Sequence, residues 1–434
     1  MKTVLTLLLS IYLTHAAAAS DDELIDYLRG AAQTLETPAD LDPLIDAVGD
    51  RQFVLLGEAS HGTSEYYTWR AEISKRLIEE KNFRFIAVEG DWTSAYEVTK
   101  YIKDLPGAGD SAEEVLANFD RWPPWMWNNE EVKELVNWLR EYNMAIPEGE
   151  RVGFYGIDIY GMWDSMHAVI EYFEKHYSEY ADQVQQAYNC LIAFDDNPQA
   201  YAAAVYQGRA DCQSDVAEVL SLLREYEEQM STGDPRNYFN AKQNALVVKY
   251  AELHYRSMPD RGPDSWNYRV RNFKNTVVRL GEYFDGNGKG VVWAHNTHVG
   301  DARATPMANQ GMENIGYLLR DRFGPLNIFI VGFGTHRGSV LAGSEWGAPM
   351  EEMEVPEAMN NSFGDLFYRA GVTNALIVFD AETPEALSEP RGHRAKGVVY
   401  NPLQERGNYV PTILPQRYDA FIFIEETGPL TPLF

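Results

Sequence analysis

Charged and imidazole side chains stand directly after short apolar runs in this sequence. They occur in G-E-A-S-H at 57–61, E-G-D-W at 89–92, G-I-D at 156–158 and H-N-T-H at 295–298. The candidate catalytic residues in and beyond these segments are Glu58, His61, Arg70, Glu89, His295 and His298. Together these residue types supply a general base, a carboxylate that orients it and cations that stabilise an oxyanion. The pattern indicates hydrolysis by an activated water molecule.

Signatures of several other mechanisms are absent from the sequence. No G-x-S-x-G elbow is present. Ser60 adjoins His61 only along the chain, which does not bring its hydroxyl onto the imidazole. H-E-x-x-H, P-loop and G-x-G-x-x-G motifs are missing as well. These absences argue against a serine nucleophile, a zinc protease, a nucleotide hydrolase and a dinucleotide-binding enzyme.

The same histidines raise the question of a metal ion. Those of H-N-T-H, together with His61 and two glutamates, could supply nitrogen and oxygen ligands. Arg70, expected near the same residues, would repel a divalent cation. We therefore expect no cofactor and no bound metal, and a metal-dependent hydrolase stays open as an alternative.

The elements that position these residues are predicted from the apolar patterning. Runs rich in Val, Ile and Phe at 53–56, 85–88, 152–155, 290–294, 327–331, 375–379 and 420–424 predict seven β-strands. The first three runs are each followed by a helical pattern, which is typical of βαβ units. We predict an α/β fold with a largely parallel β-sheet flanked by helices. Because ligands bind at the carboxyl ends of parallel strands, the candidate residues are expected to line one cleft.

From about 164 to 284 the sequence changes to helical spacing with few β-branched runs, and proline with glycine or asparagine interrupts it near 197, 233 and 262. This pattern predicts a helical insertion within a single catalytic domain that spans 20–434. Cys190 and Cys212 are the only cysteines. The sequence leaves open whether they form a disulfide or remain two buried thiols.

The first nineteen residues have the pattern of a secretory signal peptide. Lys2 precedes an apolar run over 4–13, and four alanines stand before Ser20, the residue at which we expect the mature chain to begin. The apolar run is shorter than the ~20 residues that a membrane span needs. We therefore expect a secreted or periplasmic protein that is not attached to a membrane after cleavage.

The composition indicates an acidic globular protein. The 434 residues include 37 Lys and Arg against 65 Asp and Glu, a formal net charge of −28. Such a charge repels polyanions, so a nucleic-acid partner is excluded. We expect a monomer that acts on a small molecule.

Several motifs, in this order and at these spacings, resemble the erythromycin esterase family. They are G-E-x-x-H, an Arg nine positions and a Glu twenty-eight positions beyond that His, N-W-L-R-E-Y-N at 137–143, G-I-D-I at 156–159 and A-H-N-x-H at 294–298. The likeness runs from about residue 50 to 417–421. It implies a hydrolase that opens a macrolide lactone with water and forms no covalent acyl-enzyme. It also implies that His61 is the general base and that Glu58 assists it, with the four other candidates completing the site.

One helix departs from the family pattern and bears on the substrate. The family's R-D-R-x-M-x-x-N-like helix, which faces the cleft, corresponds to 269–276 and lacks the central Asp and the final Asn here. The candidate substrate contacts are Trp92, Trp122, Trp125, Trp127 and Arg269, and a Pro-Pro turn holds three of these tryptophans in a loop. A non-catalytic protein that binds a bulky ligand on the same scaffold is the alternative. The presence of every titratable candidate favours the enzyme.

Overall fold

The computed structural model describes residues 21–434 except 195, 285 and 287. The predicted signal peptide, 1–19, lies outside the described residues. The strands are β1 Gln33–Thr34, β2 Phe53–Leu56, β3 Phe83–Val88, β4 Gly153–Gly156, β5 Lys289–Trp293, β6 Ile328–Gly343, β7 Met350–Val355, β8 Asn374–Val378, β9 Arg391–Arg394, β10 Tyr409–Thr412 and β11 Ala420–Thr427.

Helices surround these strands on both sides. They are α1 Asp21–Ala31, α2 Asp42–Val48, α3 Ser64–Lys81, α4 Trp92–Lys103, α5 Ala112–Leu116, α6 Glu130–Met144, α7 Met162–His176, α8 Ser178–Ile192, α9 Pro198–Tyr206, α10 Gln213–Glu225, α11 Glu227–Gly233, α12 Pro235–Ser257, α13 Asp264–Tyr283, α14 Asn296–Val299, α15 Ile315–Phe323, α16 Phe363–Arg369 and α17 Leu414–Arg417. Within the described part of the chain, none of them is long and apolar enough to cross a membrane.

The main sheet has the strand order β1-β8-β11-β6-β2-β5-β3-β4, and β7 pairs with the far end of β6. The six neighbours from β11 to β4 are mutually parallel, whereas β8 runs antiparallel to β11. All seven predicted strands are present, and the predicted largely parallel α/β fold is confirmed. Strands β9 and β10 form a separate antiparallel pair.

The register of the three central strands sets the position of the site. Trp293, the last residue of β5, is paired with Leu56 at the end of β2 and with Val88 at the end of β3. The three strands therefore end level with one another. The segments that follow them begin side by side at one edge of the sheet.

Two hydrophobic layers cover the sheet, because alternate strand residues point to opposite sides. Val54 and Leu56 of β2 pack with residues of α3 and α6, whereas Phe53 and Leu55 pack with residues of α13, α15 and α16. All four side chains are fully buried. Burial on both sides explains why these strands are continuous apolar runs in the sequence.

Helices α7 to α13 connect β4 to β5 and include a third hydrophobic cluster of their own. Cys190 on α8 and Cys212 at the start of α10 form a disulfide, with their Cα atoms 5.6 Å apart. The disulfide therefore ties two helices of this segment together.

Candidate active site

The loop after β2 contains a glutamate and the histidine that it contacts. A carboxylate oxygen of Glu58 accepts a hydrogen bond of 2.8 Å from Nδ1 of His61. The other carboxylate oxygen lies 2.8 Å from the guanidinium of Arg70 on α3. Because Nδ1 of His61 is hydrogen-bonded to Glu58, Nε2 is the nitrogen that can accept a proton from a molecule in the cavity.

Arg70 is held mainly by aromatic rings. Its guanidinium lies 4.2 Å from the ring centre of Tyr67 and 4.7 Å from that of Trp293. Arg70 and Glu58 are both 0% exposed. The pair keeps an oriented carboxylate behind His61 in a region without solvent contact.

Burial and nearby carboxylates act in opposite directions on His61. Burial by itself lowers the pKa of the imidazole, but the charges of Glu58 and Glu89 and the hydrogen bond to Glu58 outweigh it. The pKa of His61 is therefore raised above its usual value, and Arg269 opposes this shift only in part.

Glu89, which directly follows β3, links the loop after β5 to α13. One of its oxygens accepts a 2.9 Å hydrogen bond from the backbone nitrogen of His295. The other lies 3.2 Å from Nε2 of His298 and accepts a 2.8 Å hydrogen bond from Arg269. Burial would raise the pKa of Glu89, yet His298, Arg269 and His61 together hold it well below its usual value. Glu89 is therefore a carboxylate at any working pH.

Arg269 on α13 binds a second carboxylate. Its Nε and Nη2 donate to the two oxygens of Asp158 at 2.9 Å and 2.6 Å. Burial disfavours the cation, but Asp158, Tyr160 and Glu89 raise the pKa of Arg269 well above its usual value. Two buried carboxylates thus share one buried guanidinium.

His295 is a neutral imidazole with one nitrogen unoccupied. Its Nδ1 accepts a 3.2 Å hydrogen bond from the backbone nitrogen of Thr297 and contacts the Thr297 hydroxyl. Burial, followed by the charge of His61, lowers the pKa of His295 well below its usual value. A neutral imidazole that accepts at Nδ1 carries its proton on Nε2. That nitrogen has no hydrogen-bond partner in the described protein.

A cavity of about 370 Å³ opens above these residues. Its polar lining includes His61, Glu89, Asp158, Arg269, His295 and His298. Its apolar lining includes Phe119, Met126, Trp127, Tyr160, Trp266 and Trp346. The volume and the mixture of an apolar wall with a few polar groups are typical of a small-molecule site.

The described residues around this cavity were compared with the groupings that hold metal ions in proteins. Across the residues that the structure describes, no three or more His, Cys, Asp or Glu side chains are grouped so as to hold a metal ion. Nε2 of His298 lies 3.2 Å from the guanidinium of Arg269. A metal ion bound to this nitrogen would therefore be repelled by the positive charge of Arg269.

Comparison with known proteins places the chain in a family. The family model described as erythromycin esterase matches residues 78–427. The chain belongs to the erythromycin esterase family. It is accordingly a carboxylic ester hydrolase.

Relatives and solved structures cover almost the whole chain at low identity. An Escherichia coli protein named erythromycin esterase type II is 23% identical over 421 residues, which cover 90% of this chain and 93% of the relative. A crystal structure titled succinoglycan biosynthesis protein matches with a TM-score of 0.77 at 22% identity, over 95% of this chain and 98% of that one. A mutant of the erythromycin esterase EreC in its open conformation matches with a TM-score of 0.66 at 16% identity, over 92% and 96%. These structures share the fold of this esterase.

The six candidate catalytic residues of this esterase form one connected group, but not all of them line the cleft. His61, Glu89, His295 and His298 line the cavity. Glu58 and Arg70 lie behind His61 and are fully buried, which corrects the expectation that all six would be exposed to the cleft. Glu58 contacts His61 directly, and Arg70 contacts Glu58.

Some of the candidate substrate contacts lie at the cavity, whereas others are buried in the core. Arg269 and Trp127 line the cavity, and Trp122 packs at 4.6 Å against Trp346, which also lines it. Trp92 and Trp125 are each 1% exposed, so both are core residues and not cavity contacts. The ring of Trp92 stacks on neighbouring tyrosines while its indole nitrogen donates to Asn240, which explains its burial.

Some cavity residues of the esterase were not among the predicted site residues. Asp158 lies two residues after the end of β4, so its place near a strand end was a usable signal. Asp91 and Arg121 form a salt bridge of 2.7 Å in the cavity wall. Trp266 stacks on His298 with ring centres 4.5 Å apart. For Trp266 and Trp346 no local pattern indicates that they join the site.

Proposed function

We propose that this esterase is exported as a monomer and opens a macrolide lactone or another bulky ester with a water molecule activated at His61, without a covalent intermediate. The observation that carries the proposal is the buried Glu58–His61 hydrogen bond of 2.8 Å beside the cavity. It has the form of a general base with its orienting carboxylate.

In the first step, Nε2 of His61 takes a proton from water as the oxygen of that water attacks the ester carbonyl carbon. Glu58 stabilises the imidazolium that forms. The carbonyl oxygen becomes an oxyanion, which needs a hydrogen-bond donor in a region of low solvent access. The unoccupied Nε2–H of His295 supports its assignment as that donor.

In the second step, the carbon–oxygen bond of the ester breaks and the alkoxide leaves with the proton held by His61. This returns His61 to its neutral form and yields a carboxylic acid and an alcohol, in balance with one water consumed. In a lactone the two products remain one molecule, so its mass increases by one water.

The cavity lining supports a bulky, partly apolar substrate. Its wall includes five aromatic rings, those of Phe119, Trp127, Tyr160, Trp266 and Trp346. Aromatic walls bind large apolar surfaces through hydrophobic burial and ring stacking. A compact, strongly polar ester would leave much of this wall in contact with water.

The decisive experiment incubates the purified mature protein with a panel of macrolides and simple lactones and measures product mass. We expect a gain of one water that disappears in His61→Ala and persists after dialysis against a chelator. Loss of activity on chelation, restored by a divalent cation, would identify a metal-dependent hydrolase instead.

Export and oligomeric state are tested separately. N-terminal sequencing of the protein recovered outside the cytoplasm should start at Ser20, and light scattering should give the mass of one chain.

A further inference from the structure

A second cavity, of about 480 Å³, lies at the opposite edge of the sheet from the active site. Arg84 stands near the amino end of β3 and Arg151 stands just before β4, and both line it. The rest of the lining comes mainly from α4, α12 and the end of α13. The two cavities share no lining residue.

Among the residues that the structure describes, cations outnumber carboxylates around this second cavity. The described charged lining consists of Arg84, Lys103, Arg151 and Arg236 together with Glu148 and Asp234. The protein as a whole has 37 basic and 65 acidic residues, so the cavity reverses the charge balance of the chain. Within the described residues, Lys103 and Arg236 have no carboxylate at ion-pair distance. An excess of positive charge in a recess attracts anions.

Lys103, the last residue of α4, lies at the centre of this charge. Its ammonium is 4.8 Å from the ring centre of Phe284, and the guanidinium of Arg84 lies 5.5 Å from the same ring. Burial, then repulsion from three arginines, lowers the pKa of Lys103 to about 7, and Glu148 offsets this only in part. A bound anion would relieve this repulsion.

The remaining wall is aromatic. Phe239 and Tyr283 stack with ring centres 4.2 Å apart, and Tyr155 meets Phe284 edge-on at 6.1 Å. All four line the cavity with Tyr96. Such a wall packs against a ring or a short apolar chain. Simple inorganic anions would leave it uncovered.

We propose that this cavity binds a small organic anion. Its sulfate, sulfonate, phosphate or carboxylate group lies among Lys103, Arg151 and Arg236, and its apolar body packs on Phe239 and Tyr283. The proposal involves no active-site residue, so it stands or fails independently of the hydrolytic function.

This proposal can be tested by isothermal titration calorimetry. The whole purified protein is titrated with benzenesulfonate at low ionic strength and pH 7. We expect one binding site whose affinity decreases as salt is added. Sulfate lacks the ring and benzenesulfonamide lacks the charge, and each should bind at least about tenfold more weakly. No binding of benzenesulfonate, or equal binding of either comparison compound, would overturn the proposal.

Two variants locate the binding site. Lys103→Met and Arg236→Met should each weaken benzenesulfonate binding at least about tenfold. Lys133→Met is the matched control, because Lys133 lies on α6, away from this cavity, and pairs with Glu130. It should bind like the wild-type protein, as should His61→Ala. Arg236 is only partly buried near the start of α12, so its variant tests the proposal even if Lys103→Met fails to fold. Unchanged affinity in Arg236→Met would contradict the assignment.

Proton uptake provides an independent measurement. Benzenesulfonate does not titrate near pH 7, and the tyrosines of the wall have raised pKa values and stay neutral. The other charged side chains that line the cavity are Arg84, Arg151, Arg236, Glu148 and Asp234. Binding beside Lys103 should therefore take up about half a proton, since a pKa of about 7 leaves it half protonated at pH 7. Titrations in buffers of different ionisation enthalpy measure this, and uptake that persists in Lys103→Met would contradict the role of Lys103.

Discussion

The imidazole rings of His61 and His295 lie 4.9 Å apart, centre to centre, and their pKa values are shifted in opposite directions. Burial lowers both, but His61 has the Glu58 carboxylate at hydrogen-bond distance and His295 has Thr297 instead. Two histidines of one cavity can therefore hold different protonation states at one pH. Such a difference allows one to act as base and the other as neutral hydrogen-bond donor.

The first prediction concerns pH. His61 must be neutral to accept a proton, so kcat/KM falls as pH drops through its pKa in the free enzyme. Because that pKa is raised, the acidic limb should lie above the unperturbed value of ~6.5. Glu58→Gln removes the main charge that raises it, so the limb should move to lower pH while kcat falls. A profile that stays flat to about pH 4, with the protein folded by circular dichroism, would exclude histidine as the base.

The second prediction concerns the base itself. His61→Ala should lower kcat about 10²–10⁴-fold, the usual effect of losing a general base. His167 is an exposed histidine on α7 and provides the matched control, so His167→Ala should retain wild-type activity. Unfolding curves of both variants should show that the fold persists. A folded, fully active His61→Ala protein would assign the base to another group.

The third prediction separates water from a protein nucleophile. The Thr297 hydroxyl contacts Nδ1 of His295, so it is the cavity hydroxyl that a covalent mechanism would use. Thr297→Val keeps the backbone nitrogen that donates to His295. With water as nucleophile, we expect kcat/KM to fall less than about tenfold, the scale of one hydrogen bond. Abolished activity, together with an acyl adduct on the acid-quenched wild-type protein by mass spectrometry, would support covalent catalysis.

The fourth prediction concerns stability. Arg269→Met leaves the carboxylates of Glu89 and Asp158 buried without their shared cation, which should lower the free energy of unfolding by about 3–5 kcal/mol. Arg271, two residues further along α13, pairs with Glu313 and has a side chain 42% exposed. Arg271→Met should cost no more than about 1 kcal/mol. Denaturant unfolding compares the two, and equal costs would mean that the buried network contributes little.

The amino-acid sequence alone is sufficient to predict the parallel core of the fold. The runs at 53–56, 85–88 and 290–294 are uniformly apolar because both sides of these strands are covered. It could not predict β7, whose residues M-E-E-M-E-V are partly exposed at the sheet edge. Pairing with the distant end of β6 makes this segment a strand, and that partner is a tertiary contact.

The positions of the titratable residues after the predicted strands also indicate which of them lie close together. Residues that follow neighbouring parallel strands lie at the same edge of the sheet. How deeply each of these side chains is buried depends on tertiary contacts. Glu58 and Arg70 lie behind His61, and Trp92 lies in the core, because burial depends on which helices pack against each segment. For the same reason, the direction of the His61 pKa shift cannot be predicted from the sequence. Burial and Arg269 lower the pKa of His61, whereas the nearby carboxylates raise it. The size of each effect depends on distances in space, which cannot be read from the spacing of residues along the chain.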